Sequence, residues 1–302
     1  MLQEFYSNGK LLLSGEYAIL DGAVGLAVPT KFGQSLKVVP SNSPFLEWKS
    51  FGADGKLWFE AEFEIPKLKI RTCSDENMAK QLLEIFTAAK GLNPDFLSNG
   101  QGWILETFLT FPRNWGLGTS STLINNMALW AKVNAHHLLQ RTFGGSGYDL
   151  ACAQHNSPLL YHLKDDLPTV QEVGFDPPFK ENLFFVYLNE KQNSRDAIAN
   201  YRLLEFDKAA LVHKLTSITK NMVTCSTLAE FEALMDLHER TLSKVLKVPT
   251  VKKRLFPAYP GSIKSLGAWG GDFVLATGSQ ENQEHFKQNG YPTVFPYSKL
   301  VL

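Results

Sequence analysis

Glycine is concentrated in four short clusters of this 302-residue chain, and the clusters border apolar runs or predicted helices. The clusters occupy residues 9–17, 112–122, 144–151 and 264–272. Because glycine has no Cβ, it permits tight turns and lets the backbone approach another group closely. We therefore expect strands and helices to begin or end at these turns along most of the chain.

The apolar pattern mixes strand and helix signals. The predicted strands are 11–13, 24–28, 103–109, 183–188 and 272–277. The predicted helices are 75–90 with Ser74 as N-cap, one that follows Gly118, one from a Thr227–Glu230 capping box to Leu246, and 280–288. A charged stretch with prolines 168, 177 and 178 suggests a boundary. The sequence therefore predicts an α+β protein of two lobes, with domains at residues 1–178 and 179–302.

Composition narrows the possible classes of protein. Lys+Arg and Asp+Glu both number 30, so the net charge of +0 gives no reason to expect a nucleic-acid partner. The three cysteines form no C-x-x-C pair, which argues against a zinc site or a disulfide framework. The start lacks the pattern of a secretory leader, and the longest apolar block, 183–188, is too short to cross a membrane. We expect a cytoplasmic monomer or homodimer with no membrane partner.

The cluster at residues 112–122 reads Pro-Arg-Asn-Trp-Gly-Leu-Gly-Thr-Ser-Ser-Thr. Gly116 and Gly118 lead into hydroxyl residues and a predicted helix, whose free N–H groups and positive dipole end suit a phosphate. Ser120 and Ser121 add hydroxyls that can bind phosphate oxygens or a metal. Taken alone, the pattern is more often a glycine turn in which Thr119 or Ser120 caps a helix. It is not a Walker A loop.

The other three clusters also allow two interpretations each. Asp149 follows three glycines and could be a base held close to a ligand, or a helix cap. The glycines of 264–272 suit a loop against a substrate, or a plain turn. Lys10 enters a predicted buried strand, where its charge needs a partner unless the side chain extends to the surface.

Together, in this order and with these spacings, the clusters resemble the motifs of GHMP kinases, the superfamily of galactokinase, homoserine kinase, mevalonate kinase and phosphomevalonate kinase. The matching residues are Gly9, Lys10, Gly15, Glu16 and Tyr17 in the first motif, Pro112, Gly116, Leu117, Gly118 and Ser120 in the second, and Gly267, Ala268, Gly270 and Gly271 in the third. The resemblance extends from residue 9 to about residue 277. Residues 15–17, 145–149 and 270–272 favour phosphomevalonate kinase, with mevalonate kinase next.

The resemblance implies an N-terminal lobe like domain 2 of ribosomal S5, a ferredoxin-like C-terminal lobe, and ATP between them. It implies an ATP- and Mg²⁺-dependent kinase that phosphorylates a small metabolite, phosphomevalonate or mevalonate. Asp149 matches the general base, and Lys10 the lysine that stabilises the transferring phosphoryl group. The implied nucleotide contacts are Gly116, Leu117, Gly118, Thr119, Ser120, Ser121, Gly267, Ala268, Gly270 and Gly271. The implied acceptor contacts are Glu16, Tyr17, Ser146, Gly147 and Ser194, and Ser120 is implied to hold Mg²⁺.

Two residues depart from the family pattern. Leu138 stands where mevalonate kinase has a Mg²⁺-binding glutamate, and Trp269 stands where the third motif has glycine. Both fit an alternative in which the protein binds a ligand without turnover, although the presence of Lys10 and Asp149 argues against it. A kinase for homoserine or a sugar is a further alternative. Diphosphomevalonate decarboxylase is disfavoured by Gly118, and a nucleic-acid-binding module by the neutral charge.

Overall fold

The computed structural model describes residues 1–164 and 167–302, except for the side chain of Arg195. Its strands are β1 (Gln3–Ser14), β2 (Gly25–Ser41), β3 (Phe45–Phe51), β4 (Leu57–Glu64), β5 (Lys69–Cys73), β6 (Gly102–Leu109), β7 (Leu159–Lys164), β8 (Leu167–Glu172), β9 (Leu183–Tyr187), β10 (Ile263–Ser265), β11 (Phe273–Thr277) and β12 (Val294–Pro296). Its α-helices are α1 (Glu76–Leu92), α2 (Thr119–Ala131), α3 (Ala135–Gln140), α4 (Tyr148–Gln154), α5 (Ser194–Arg202), α6 (Lys208–Thr224), α7 (Leu228–Leu246), α8 (Val251–Leu255), α9 (Gln280–Gln288) and α10 (Tyr297–Leu300). Short 3₁₀ helices lie at Ala18–Asp21 and Lys180–Asn182. The predicted α+β class is confirmed.

The described chain forms two compact units that interleave along the sequence. The first unit comprises residues 1–9, 32–113 and 117–154, and the second comprises residues 10–31, 114–116 and 155–302. Strands β1 and β2 therefore contribute residues to both units. The predicted domains, 1–178 and 179–302, divide the chain differently and stay a prediction.

The first unit is built on a sheet whose strands follow the order β5-β4-β3-β6-β2. The pairs are antiparallel except for β3 with β6, which is parallel. Residues alternate in burial along β3, as expected when only one face of a sheet is covered. That face packs against α1, α2 and α3 in one apolar core, which includes Trp48, Phe86 and Met127.

The second unit contains a sheet of order β10-β11-β9-β12, with antiparallel pairs throughout. All five residues of β9 are buried, which explains why this strand reads as a continuous apolar run. Helices α8 and α9 cover the sheet through Val251 and Phe286. The residues of β2 that belong to this unit pair with β7, and β7 pairs with β8.

Helix boundaries follow their caps. Thr227 caps α7 as predicted, since its side chain accepts the Glu230 N–H. The predicted N-cap of α1 is wrong, because Asp75, not Ser74, accepts the N–H groups of Asn77 and Met78. Ser74 instead exchanges hydrogen bonds with the backbone of Glu60. Two adjacent residues could cap this helix, and the strand pairing engages the first of them.

Across the two described ranges, no helix combines the length and the apolar character that a membrane crossing requires.

Candidate active site

In the first unit, helix α2 begins directly after the glycine turn of the second motif. Gly118 is its N-cap in a left-handed conformation with φ of +93°, and it offers no side chain to the first N–H groups of the helix. Ser121 is buried and its hydroxyl donates to Gly118 O at 2.8 Å, whereas Ser120 is exposed. A 13-residue helix whose start lacks a side-chain cap presents N–H groups and a positive dipole end to an anion.

Buried polar side chains fix this helix within the first unit. Thr122 donates to the Gln34 side chain at 2.7 Å, and the Asn126 amide donates to Gln34 O at 2.9 Å. The Ser7 hydroxyl donates to Asn126 Oδ1 at 2.7 Å. Buried hydrogen bonds of this kind specify one register of the helix against the sheet. Sequence reasoning missed these residues, because their partners lie far away along the chain.

Asp149, the predicted base, lies in the first turn of α4 in the same unit. Its side chain is partly exposed, and Oδ1 accepts the Leu150 N–H at 3.1 Å. Gly147, in a left-handed conformation with φ of +84°, and Ser146 precede it and are both buried. The carboxylate therefore lies at the start of a helix, which agrees with either interpretation of this cluster.

In the second unit, Lys10 contacts the glycine turn that precedes α2. Its ammonium group donates to Gly116 O at 2.9 Å, so the lysine has the polar partner that a half-buried charge requires. Gly116 has φ of +67°, and a Cβ on it would lie only 2.3 Å from Oδ2 of Asp272. This position therefore requires glycine for its conformation and for the close approach of a carboxylate.

Aromatic residues hold residues 114–116 in the second unit. The ring of Trp115 packs edge-on against Phe273 and Phe295, with ring centroids 5.8 and 5.3 Å apart. The Tyr187 hydroxyl donates to Asn114 O at 3.0 Å. Trp115 lies within the second motif, at a position where the motif specifies no residue type. The motif therefore did not predict this anchoring role.

Four ionisable side chains of the second unit form a buried cluster: Glu16, His238, Glu239 and Lys264. The Lys264 ammonium is paired with Oε1 of Glu16, and Oε2 lies 3.1 Å from Nε2 of His238. The same nitrogen accepts the Gly15 N–H at 3.1 Å. Glu239 accepts the Ser265 N–H at 3.1 Å. The cluster thus ties the first motif to the strand that leads into the third motif.

Burial and charge shift the pKa values in this cluster in different directions. Burial alone would raise the pKa of Glu16, but the charge of Lys264 and the contacts with Lys264 and His238 together outweigh it and hold that pKa below its usual value. Burial, and then the charge of Lys264, lower the pKa of His238. Burial raises the pKa of Glu239 to about 8. At neutral pH the cluster therefore holds one ion pair, a neutral histidine and a protonated glutamic acid.

The third motif forms a loop in the second unit with two left-handed glycines, Gly267 and Gly270. The Trp269 N–H donates to the Tyr17 hydroxyl at 3.1 Å, which connects the loop to the first motif. A Cβ on Gly271 would lie 2.7 Å from Glu190 O, so this residue also requires glycine.

The predicted site residues differ in what their side chains can reach. The side chain of Glu16 has no exposed surface and that of Tyr17 is largely buried, so their contact with an acceptor stays a prediction. The side chains of Leu117 and Ala268 are buried, which leaves the backbone as the part available to a nucleotide. Ser194 is exposed at the start of α5.

The side chains of the candidate site could bind Mg²⁺ only if the phosphates of a nucleotide supplied most of its ligands. Leu138 is fully buried in the core of the first unit and cannot hold a metal. Within the part of the chain that the structure describes, no three or more His, Cys, Asp or Glu side chains lie together in a way that could hold one. The exposed Ser120 hydroxyl remains available, and Mg²⁺ commonly binds through phosphates with few protein ligands.

No protein-family model and no curated protein matches the sequence. Among solved structures, mevalonate kinase of Methanococcus jannaschii is similar at a TM-score of 0.70 and 15% identity, over 98% of this chain and 97% of that chain. Phosphomevalonate kinase of Streptococcus pneumoniae, in complex with phosphomevalonate and AMPPNP, is similar at a TM-score of 0.69 and 14% identity, over 99% of this chain and 98% of that chain. Galactokinase of Lactococcus lactis, complexed with galactose, is similar at a TM-score of 0.66 and 13% identity, over 95% of this chain and 88% of that chain. The chain therefore has the fold of the GHMP kinases over almost its whole length.

Proposed function

We propose that this protein is an ATP-dependent kinase that transfers the γ-phosphoryl group of ATP to a small metabolite, with phosphomevalonate or mevalonate as the acceptor. The observation that carries the proposal is the contact of Lys10 with Gly116 O, at 2.9 Å, directly before the glycine turn that opens α2. A lysine that contacts Gly116 supports the proposal, because this glycine directly precedes the residues whose pattern suits a phosphate. The fold agrees, since similar structures include kinases for alcohols and for a phosphorylated alcohol.

In the proposed reaction, the N–H groups at the start of α2 bind the phosphates of ATP, and Ser120 contributes a hydroxyl. Lys10 stabilises the negative charge that develops on the transferred phosphoryl group. Asp149 accepts the proton of the acceptor hydroxyl or phosphate as its oxygen attacks. Mg²⁺, when bound, neutralises charge on the nucleotide phosphates.

An assay of ADP release tests the proposal. The purified protein is given MgATP with phosphomevalonate, mevalonate, homoserine or galactose in parallel, and with no acceptor. We expect release above the no-acceptor rate with phosphomevalonate or mevalonate. Asp149→Asn is the matched variant, and its turnover should fall about 10²–10⁴-fold, because asparagine cannot accept the proton.

Two results would redirect the proposal. Release with homoserine or galactose alone would keep the kinase but change the acceptor. Nucleotide binding by calorimetry without release for any acceptor would favour a protein that binds ligand without turnover, for which the apolar Leu138 is the supporting observation.

A further inference from the structure

Asp272, at the end of the fourth glycine cluster, is held by hydrogen bonds of both its backbone and its side chain. It adopts a left-handed conformation with φ of +52°, which aspartate tolerates better than most residues. Its N–H donates to Glu190 O at 2.6 Å, and its carbonyl accepts the Leu188 N–H at 2.8 Å. Oδ1 of its side chain accepts the Gln192 N–H at 3.3 Å. Backbone and carboxylate are thus fixed to residues 188–192 of the second unit.

The fixed carboxylate faces the glycine turn and two cations. Oδ2 is so close to Gly116 that a single added Cβ would lie 2.3 Å away. Burial raises the pKa of Asp272, while the charges of Lys10 and Lys191 oppose that rise, so both cations are close enough to act on it. Lys10 also donates to the carbonyl of the same glycine. Asp272, Gly116 and Lys10 therefore form one local group.

A carboxylate is an unexpected neighbour for a turn suited to phosphate, because it repels the anion. A compensating role would explain its presence there. Since the loop holds Asp272 rigidly and Lys10 has a long flexible side chain, the carboxylate can restrict where the ammonium group lies. It also favours the charged form of the lysine.

We propose that Asp272 is a positioning residue, which holds the Gly116 turn and directs the Lys10 ammonium group toward the transferred phosphoryl group. This inference rests on the proposed kinase function. It makes Asp272 act through Lys10, without contact with substrate. A residue that acts through another in this way should change turnover more than nucleotide binding.

The test compares the full-length wild type with Asp272→Asn. Asparagine keeps the shape, the left-handed conformation and the acceptor for Gln192, and it removes the charge. We expect kcat to fall about 10–100-fold, with the ATP affinity within about threefold of wild type. Without the carboxylate the pKa of Lys10 should fall, so the alkaline limb of the kcat–pH profile should move down by about one pH unit. A merely structural role would leave that limb in place.

A second variant and a metal titration complete the test. Asp272→Gly also accepts the left-handed conformation and should show the same kinetic changes. Folded variants with wild-type kcat and an unmoved alkaline limb would overturn the proposal, as would loss of folding in both variants. A tenfold rise in the Mg²⁺ concentration for half-maximal rate, with the limb unmoved, would make Asp272 a metal ligand instead. Failure of the kinase function itself is distinct, because the wild type would then release no ADP.

Discussion

Glu16, His238, Glu239 and Lys264 are each at most 2% exposed, an unusual concentration of ionisable groups away from water. Removing one member of a buried ion pair costs about 3–5 kcal/mol, because the remaining charge is left uncompensated. The cluster holds the turn of the first motif in place through the Gly15 N–H and Glu16. The charge on Glu16 therefore forms an ion pair within the protein, whereas the motif match alone suggests that Glu16 contacts the acceptor.

Glu239 gives this cluster a measurable pH dependence. Its pKa is raised from 4.5 to about 8, so the folded protein keeps a proton that the unfolded chain loses above pH 4.5. The free energy of unfolding should therefore fall between pH 4.5 and 8. Glu239→Gln mimics the protonated acid and should remove this slope. The free energy of unfolding of the variant, relative to that of wild type, should therefore be higher at pH 8 than at pH 5, by on the order of a few kcal/mol.

Urea unfolding at pH 5, 6.5 and 8 measures this effect. Glu84→Gln, a change on the exposed face of α1, is the control and should leave the slope as in wild type. A Glu239→Gln variant that follows the wild-type slope would show that Glu239 is ionised in the folded protein.

Trp269 presents a different problem at the same scale. Its side chain is partly buried, and among the described residues its indole nitrogen is buried without a hydrogen-bond partner. Such a nitrogen costs stability, so packing alone does not explain the residue. We predict that Trp269→Gly changes the affinity for nucleotide or acceptor more than it changes the melting temperature. A large drop in melting temperature with unaltered kinetic constants would make Trp269 a core residue.

At the scale of elements, α2 depends on the left-handed glycine that precedes it. Gly118→Ala should cost about 1–2 kcal/mol of stability, because its φ of +93° disfavours any side chain. Gly55→Ala is the matched control, since Gly55 is also left-handed at +74° and has open space around it. Both variants should lose similar stability, but only Gly118→Ala should weaken ATP binding, by tenfold or more in calorimetry. Equal ATP affinities in the two variants would show that the loop before α2 is a structural turn that does not bind ATP.

Helix α2 also marks how far the sequence could predict the structure. Its start after Gly118 followed from local pattern, as did β6, β9, β11, α7 and α9. Its anchoring by Ser7 and Gln34 did not, since those hydrogen bonds join residues about ninety to 120 positions apart. The same reason hid the partners of Lys264 and Asp272, which the sequence marked only as the ends of a glycine cluster. Local chemistry predicted these elements, whereas the long-range polar contacts became visible only in the structure.

At the scale of the whole molecule, the two units do not correspond to two consecutive stretches of chain. Residues 10–31 belong to the second unit, where Ser14 contacts Thr219 at 2.8 Å and Val24 N–H donates to Thr216 at 3.1 Å. Three consecutive residues of this segment, Leu11–Leu13, are buried. The second unit therefore takes part of its core and its ionic cluster from the beginning of the chain.

This interleaving predicts the behaviour of a chain divided at the proposed domain boundary. A fragment of residues 179–302 contains Lys264 and Glu239 but lacks Glu16, the buried partner of Lys264. Because that loss costs about 3–5 kcal/mol and the buried strand segment is lost as well, we expect no cooperative thermal unfolding of the fragment by circular dichroism. Addition of the 1–178 fragment should restore a cooperative transition. A fragment that melts cooperatively by itself would show that residues 179–302 form an independent domain and that Glu16 contributes little to their stability.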